Sequence, residues 1–143
     1  MKKFPFWFLI FIMSFQLMGC SNSEETSIPD ENTFIINFIN KSEIEFQGVE
    51  VSYFQNDILR GTANIENASE KEKVKNGDSI PLEFNMNNFN LDEEAKFDVT
   101  IITDKRTEEK ITISTPISTK LSTLKSTYYI EISGESKESL TLN

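Results

Sequence analysis

The chain has 143 residues, with 14 Lys and Arg against 23 Asp and Glu, one cysteine and no histidine. This length fits a single domain, and one cysteine allows no internal disulfide. The lack of histidine and of further cysteine excludes thiolate or imidazole metal sites and every histidine-based catalytic triad. The formal charge of −9 also makes nucleic acid or an anionic lipid surface an unfavourable partner, because the long-range field repels both.

The first twenty residues have the composition of an export signal. Lys2 and Lys3 are followed by an uncharged, mostly apolar run over residues 4–18. A membrane-spanning helix needs about 20 apolar residues, so this run is short for one. A positive start, a short apolar run and a small residue at the end are typical of a secretory signal peptide, which we predict over residues 1–19.

The apolar run ends in Leu17, Met18, Gly19 and Cys20. These residues resemble the lipobox of bacterial lipoproteins, with an apolar residue three positions before a cysteine and a small residue just before it; Met18 departs slightly from the small residues usual there. The resemblance implies cleavage before Cys20 and a diacylglycerol on its sulfur. Two acyl chains, at about 0.8 kcal/mol per buried methylene, anchor a protein firmly. The alternative is an ordinary signal peptide with a free thiol, which would invite mixed disulfides.

The resemblance covers only these first residues. It implies a protein that is lipid-anchored at the extracytoplasmic face of a cell membrane. Residues 20–32 are polar, acidic and nearly free of apolar side chains, so they cannot bury enough surface to fold alone. We predict a flexible tether there, and about 12 such residues span on the order of 20 Å.

From residue 33 onward, β-branched and aromatic runs are separated by turn residues, which predicts an all-β domain over residues 33–143. The first run, residues 33–39, is apolar on both faces and is therefore expected to be well covered. In the second, residues 44–54, the apolar phase changes at Gly48, which predicts a β-bulge there.

Further strands are predicted by alternation in the rest of the chain. They cover residues 59–65, 80–86, 96–103, 110–117, 127–133 and 138–142. The connection before the fourth strand contains Asn76 and Gly77, a pair typical of tight turns. Its mixed-charge segment, residues 70–75, is predicted to be solvated.

Seven or eight short strands predict a two-sheet sandwich of the immunoglobulin or fibronectin III type. The cysteine bridge of immunoglobulin domains is absent, so this prediction depends on the strand pattern alone. A small closed β-barrel is the alternative.

Ser122 and Lys125 match the S-x-x-K pattern of serine acyl-enzymes, in which the lysine activates the serine from the next helical turn. The accompanying sequence patterns of those enzymes are missing. We therefore predict a polar connector, with Leu121 and Leu124 packed inward.

Asp92, Glu93 and Glu94 form an acidic cluster whose oxygens suit calcium. The cluster lacks the regular ligand spacing of a calcium loop, and a solvated acidic loop is the alternative. No other metal and no cofactor is expected beyond the diacylglycerol at Cys20. Tyr53, Tyr128 and Tyr129 are the aromatic side chains available for stacking on a sugar.

These features predict a protein that binds and does not catalyse, because the chain lacks histidine and any nucleophile with a neighbouring base. The first hypothesis is a membrane-anchored module whose loops or sheet edge bind an envelope or extracellular protein. The second is a structural or accessory subunit of a transport, secretion or cell-wall complex.

Overall fold

The computed structural model describes residues 32–67, 69 and 72–143. The predicted signal peptide, and the predicted tether up to residue 31, lie outside these residues. The strands of the described part are β1 (Thr33–Ser42), β2 (Gly48–Gln55), β3 (Ile58–Glu66), β4 (Ser79–Asn85), β5 (Glu94–Asp104), β6 (Glu109–Thr112), β7 (Ile117–Lys120), β8 (Thr127–Gly134) and β9 (Thr141–Leu142). Two short 3-10 helices, Met86–Asn88 and Lys137–Ser139, lie in connections.

The strands form two sheets. The first has the order β4-β1-β8-β9, and the second has the order β3-β2-β5, with β6 and β7 both pairing to the free side of β5. The sheets do not close on each other, so the predicted two-sheet sandwich is confirmed and the barrel alternative is wrong. The predicted strand over residues 110–117 is two strands, because the chain leaves the ladder before Pro116, which has no N–H to donate.

The strand order matches that of the core of an immunoglobulin domain, except that β8 takes the place of strand A. Strands β1 and β4 pair in one sheet and β2 and β5 in the other, as strands B, E, C and F of an immunoglobulin domain do. Strand β8 lies beside β1, where strand A lies beside B in that fold. It runs parallel to β1, with Ile35 opposite Thr127.

The core lies between the sheets and is built from alternating positions. Alternate residues of β1, β2, β5 and β8 face inward. The inward residues of these strands are Phe34, Ile36, Phe38, Val49, Val51, Tyr53, Phe97, Val99, Ile101, Tyr128, Ile130 and Ile132.

The predicted bulge at Gly48 is wrong. Strand β2 begins at Gly48 and pairs with β5 in continuous register, and the irregularity of the β2–β3 ladder lies between Tyr53 and Phe54. The apolar phase changes before Gly48 because the chain crosses there from one sheet to the other. In that crossing, Phe46 forms an isolated bridge with Val74, which is buried although we predicted a solvated segment.

The two ends of the sandwich differ, and we call them the proximal and the distal end. The proximal end is the one at which β1 begins, as the pairing of Thr33 with Asn85 and of Glu94 with Lys120 shows. It comprises the start of β1, the β2–β3 turn at residues 56–57, the β4–β5 connection at residues 86–93 and the β7–β8 connection at residues 121–126. The distal end comprises the β1–β2, β3–β4, β5–β6 and β8–β9 connections.

Candidate interaction surfaces

The predicted attachment site lies outside the described residues. Leu17, Met18, Gly19 and Cys20 all precede residue 32. Lipidation of Cys20 therefore stays a prediction. The described chain begins at the proximal end, where the carbonyl of Asn32 accepts a hydrogen bond of 2.8 Å from the backbone N–H of Met86.

The acidic candidate cluster lies at the start of β5. The backbone N–H of Asp92 donates to the side chain of Asn90 at 3.1 Å, and that of Glu93 donates to the Asn90 carbonyl at 3.2 Å. Glu94 opens β5. Across residues 32–67, 69 and 72–143, no three acidic, cysteine or histidine side chains are grouped to hold a metal ion. We carry the calcium candidate no further.

Ser122 and Lys125 lie in a tight turn of the β7–β8 connection and not on a helix. The Ser122 hydroxyl accepts from the backbone N–H of Leu124 at 3.2 Å, and the Lys125 ammonium lies 4.4 Å from the ring centre of Tyr128. Leu121 is buried, as predicted. The inward packing predicted for Leu124 is wrong, because this side chain is 96% exposed.

The three tyrosines are placed differently. Tyr53 and Tyr128 are buried in the core, so they present no stacking surface. Tyr129 is 64% exposed on the outer face of the first sheet, opposite Asn37 of β1. One exposed aromatic ring is a common surface feature and defines no sugar site.

The β2–β3 hairpin brings two more apolar side chains to the proximal end. Asn56 and Asp57 have φ values of 51° and 60°, which this tight hairpin turn requires. The next two residues, Ile58 and Leu59, are 61% and 54% exposed. Leu59 also lines a shallow polar groove.

The edges of the two sheets are protected to different degrees. Strand β4 carries Pro81, β9 has two residues, and the β6–β7 edge is interrupted near Pro116 and carries Lys110 and Lys120. Proline and lysine on an edge oppose pairing with another chain. Strand β3 has nine residues, no proline and no lysine, and its second side pairs with no other strand in the described structure.

The charged side chains are spread unevenly. Residues 33–143 carry 19 Asp and Glu and 12 Lys and Arg. Five of the acidic and four of the basic residues lie within three positions of the proximal connections, which leaves 14 against 8 for the rest. The proximal end is therefore nearly neutral, and most of the negative charge lies elsewhere.

Ion pairs occupy the distal half of the domain. Lys137 donates to Glu109, and this hydrogen bond holds the pKa of the Glu109 carboxyl below its usual value. The Glu50 carboxylate lies 2.8 Å from the Lys110 ammonium and raises the pKa of that lysine. These groups are exposed, so their pairing contributes little to stability.

The sequence analysis missed the proximal surface for identifiable reasons. The adjacent pair Ile58 and Leu59 follows a turn, and such a pair in an edge strand always places one side chain outward. The sequence therefore contained a signal for an exposed apolar side chain in this pair. The exposure of Leu124 could not be predicted, because the short β7–β8 connection has no repeating apolar pattern that would show which way a side chain points.

The chain matches no model of a known protein family and no curated protein sequence. Among residues 32–67, 69 and 72–143, no helix is long and apolar enough to cross a membrane. The function of the protein is therefore inferred from the residues described above.

Proposed function

We propose that this protein is a lipoprotein, anchored through Cys20 to the extracytoplasmic face of a cell membrane, whose sandwich domain binds another protein. The anchor is supported by the first twenty residues, where a positive start, an apolar run and the sequence Leu-Met-Gly-Cys follow in the order of a lipoprotein signal. A polar, acidic segment then separates Cys20 from the folded domain in the sequence.

The protein-binding role depends on one observation, the open edge of β3, which has nine residues and no proline or lysine, although it carries Arg60 and Glu66. In antiparallel sheets an open edge presents backbone N–H and C=O groups that an extended peptide can pair with, as in other cases of strand addition. The other edges of the described sheets are short, broken or protected by proline and lysine. The β3 edge is thus the surface that we assign to a partner.

The anchor is tested by metabolic labelling of cells with an alkyne-tagged fatty acid. We expect wild-type protein to carry the label and Cys20→Ser to carry none and to be released from the membrane. Ser21→Ala, the neighbouring substitution, should keep the label. Persistent labelling of Cys20→Ser would contradict the proposed anchor.

The β3 edge is tested by photocrosslinking in intact cells. A photoreactive residue in place of Asn64 on β3 should give a crosslinked product, whereas one in place of Ser118 on β7 should not. The double variant Thr62→Lys and Asn64→Lys should remove co-purification of that product, because edge lysines oppose strand pairing. Equal crosslinking from both strands would argue against the β3 assignment.

The identity of the crosslinked product also separates the two roles considered from the sequence. A stoichiometric product that is itself a membrane-complex subunit indicates the accessory role. A soluble or extracellular product indicates a binding module. Both results retain the β3 edge as the contact surface.

A further inference from the structure

Most of the large apolar side chains exposed by the described residues lie at one end of the sandwich. Ile58, Leu59 and Leu124 are at the proximal end, and Tyr129 is the fourth member of this set. Isolated exposed apolar residues are normal on protein surfaces, but here three, at the start of β3 and in the β7–β8 connection, lie at the same end of the sandwich.

The β7–β8 connection forms a hydrogen-bonded turn that holds the side chain of Leu124 outward. Leu121 is buried beneath it, and the backbone N–H of Ser122 donates to the Tyr128 hydroxyl at 2.8 Å. Two further hydrogen bonds to Ser122, from the N–H groups of Leu124 and Lys125, close the turn. The exposed position of Leu124 is thus fixed by its neighbours.

The chain places this same end nearest to the proposed anchor. Strand β1 starts at Thr33, and Cys20 precedes it by 13 residues. Even fully extended, 13 residues reach at most about 47 Å, and a flexible chain of this length spans on the order of 20 Å. The distance between the proximal end and a lipid surface that holds Cys20 is therefore no larger than a small domain.

The charge distribution permits that approach. Within residues 33–143 the proximal end has five acidic and four basic residues, Asp30 and Glu31 precede β1 in the sequence, and Lys120 and Lys125 lie on either side of Leu124. The excess of negative charge lies on the rest of the domain. An anionic headgroup layer would repel the distal end more strongly and would turn the proximal end toward the membrane.

From these observations we infer that the proximal end is a lipid-contacting surface, with Leu124, Ile58 and Leu59 in the headgroup layer of the membrane that carries the anchor. This inference rests on the proposed function, because it needs the lipid at Cys20 to hold the domain at the surface. It sets the orientation of the domain: the sandwich stands on its proximal loops, and its distal end points away from the membrane.

The inference is tested with the full chain, purified after export and reconstituted into vesicles of phosphatidylethanolamine and phosphatidylglycerol at 3:1. A cysteine is introduced at Leu124, at Ile58 or, as the distal control, at Glu108, and is labelled with an environment-sensitive fluorophore. Acylated Cys20 is a thioether, so the introduced thiol is the one that reacts. Lipids with a nitroxide on the headgroup then quench fluorophores that lie in the headgroup layer.

We expect quenching at Leu124→Cys and Ile58→Cys to exceed that at Glu108→Cys at least twofold. Equal quenching at the three positions, with one reactive thiol per chain, would overturn the inference and leave the anchor in place. Two reactive thiols per chain would show that Cys20 is not acylated, and both the anchor and this inference would fall. Since the vesicles contain no other protein, a partner cannot cause the quenching.

A second variant tests the role of the Leu124 side chain itself. Leu124→Asp adds a charge at a fully exposed position, so we expect unchanged thermal unfolding. Combined with Ile58→Cys, it should reduce headgroup quenching at residue 58 at least twofold, because the domain loses a contact that orients it. Ser136→Asp, a distal substitution of the same charge, should leave that quenching unchanged. Equal quenching in the two combined variants would contradict a contact by Leu124.

Discussion

The two ends of the sandwich are closed by different kinds of interaction. At the proximal end the interior is aromatic: the ring contacts found in the described structure, at 4.8 to 6.3 Å between ring centres, all lie in that half. The rings belong to Phe34, Tyr53, Phe84, Phe89, Phe97 and Tyr128. Such contacts need no exact hydrogen-bond geometry and leave the overlying loops free to carry apolar side chains outward.

At the distal end the interior is partly polar. The fully buried Asn40 donates to the carbonyls of Ile44 and Val74, each at 2.9 Å, and accepts from the hydroxyl of Ser42 at 2.7 Å. Gln47, also buried, accepts from the backbone N–H of Lys105 at 2.7 Å. Buried amides of this kind help to fix the crossing of the chain between the sheets, because their hydrogen bonds join backbone groups of different segments.

This difference between the two ends indicates which end of the domain can bind a partner or a membrane surface. The distal end satisfies its polar groups internally and covers them with exposed ion pairs, so it presents little that another molecule would gain from covering. The proximal end exposes apolar side chains above a rigid aromatic interior. Rigid support under exposed apolar side chains favours binding, since little conformational freedom is lost on contact.

The largest expected effect comes from the aromatic cluster. Phe34 contacts three other rings, and Phe34→Ala should lower the free energy of unfolding by about 3 to 5 kcal/mol. Phe38, equally buried on the same strand, lies outside these ring contacts. Chemical denaturation of Phe34→Leu and Phe38→Leu should show the larger loss for Phe34→Leu. An equal loss would mean that the ring contacts add nothing to burial.

A smaller effect is expected from the distal polar network. Asn40→Ala removes the amide donor to the carbonyls of Ile44 and Val74, which keep only the longer hydrogen bonds from the Ser42 hydroxyl at 3.2 Å and from the N–H of Phe46 at 3.4 Å. Each buried group weakened in this way costs up to about 1 to 3 kcal/mol. We expect a loss of about 3 kcal/mol in the free energy of unfolding, measured by urea denaturation. Asn37→Ala, on the outward side of the same strand, should change it by less than about 0.5 kcal/mol. Similar losses from the two variants would show that the network is not stabilising.

The two ends of the β2–β3 ladder provide a third comparison. A Cβ at Gly61 would lie 2.3 Å from the Tyr53 hydroxyl, and one at Gly48 would lie 2.5 Å from the carbonyl oxygen of Ile65. The tyrosine ring can tilt, whereas the backbone of β3 must shift as a unit. Gly61→Ala should therefore cost about 1 to 3 kcal/mol, and Gly48→Ala more.

The same pair of variants has an internal control. In a Tyr53→Leu background, Gly61→Ala should lose most of its effect in thermal unfolding, because the clashing hydroxyl is gone. Gly48→Ala should be unaffected by that background. If the cost of Gly61→Ala is the same with and without the tyrosine, the close approach of the ring does not explain it.

The smallest expected effect concerns a distal ion pair. Lys137 lowers the pKa of Glu109, so the stability that this pair contributes is present above the usual glutamate pKa of 4.5 and is lost as the pH falls through the lowered pKa. In Lys137→Met, the pKa of Glu109 should rise toward 4.5, as measured by NMR titration of the carboxyl carbon. Lys120→Met, a proximal control, should leave the pKa of Glu109 where it is in the wild type. An unmoved pKa in Lys137→Met would show that the pair does not form in solution.

The strands and their inward faces were predictable because alternation is a local property. In β1 and β5 the alternating apolar residues Phe34, Ile36 and Phe38, and Phe97, Val99 and Ile101, are buried. Ile35 and Ile102 of the opposite faces are buried as well, and Asn40 continues the inward face of β1 with a polar side chain. The turn at Asn76 and Gly77 was predictable for the same reason: Gly77 has a φ of 95°, which glycine adopts readily.

The wrong predictions at Gly48 and Val74 concern residues whose surroundings come from distant parts of the chain. The phase change before Gly48 has the same signature as a bulge, and only the pairing of Phe46 with Val74 identifies it as a crossing between sheets. Leu124 and Val74 lie in polar segments, and each was assigned the wrong exposure because neither segment has a repeating pattern.

The sequence by itself therefore determined the class of the fold, the positions of the strands and the side chains that form the core, since these follow from period-two alternation. The tertiary structure decided the parallel pairing of β1 with β8, the open edge of β3 and the location of Ile58, Leu59 and Leu124 at the same end of the sandwich, where the described chain begins. Those features join residues that are up to about 90 positions apart, and the free energy of such contacts depends on the whole arrangement of the sheets, which no local pattern encodes.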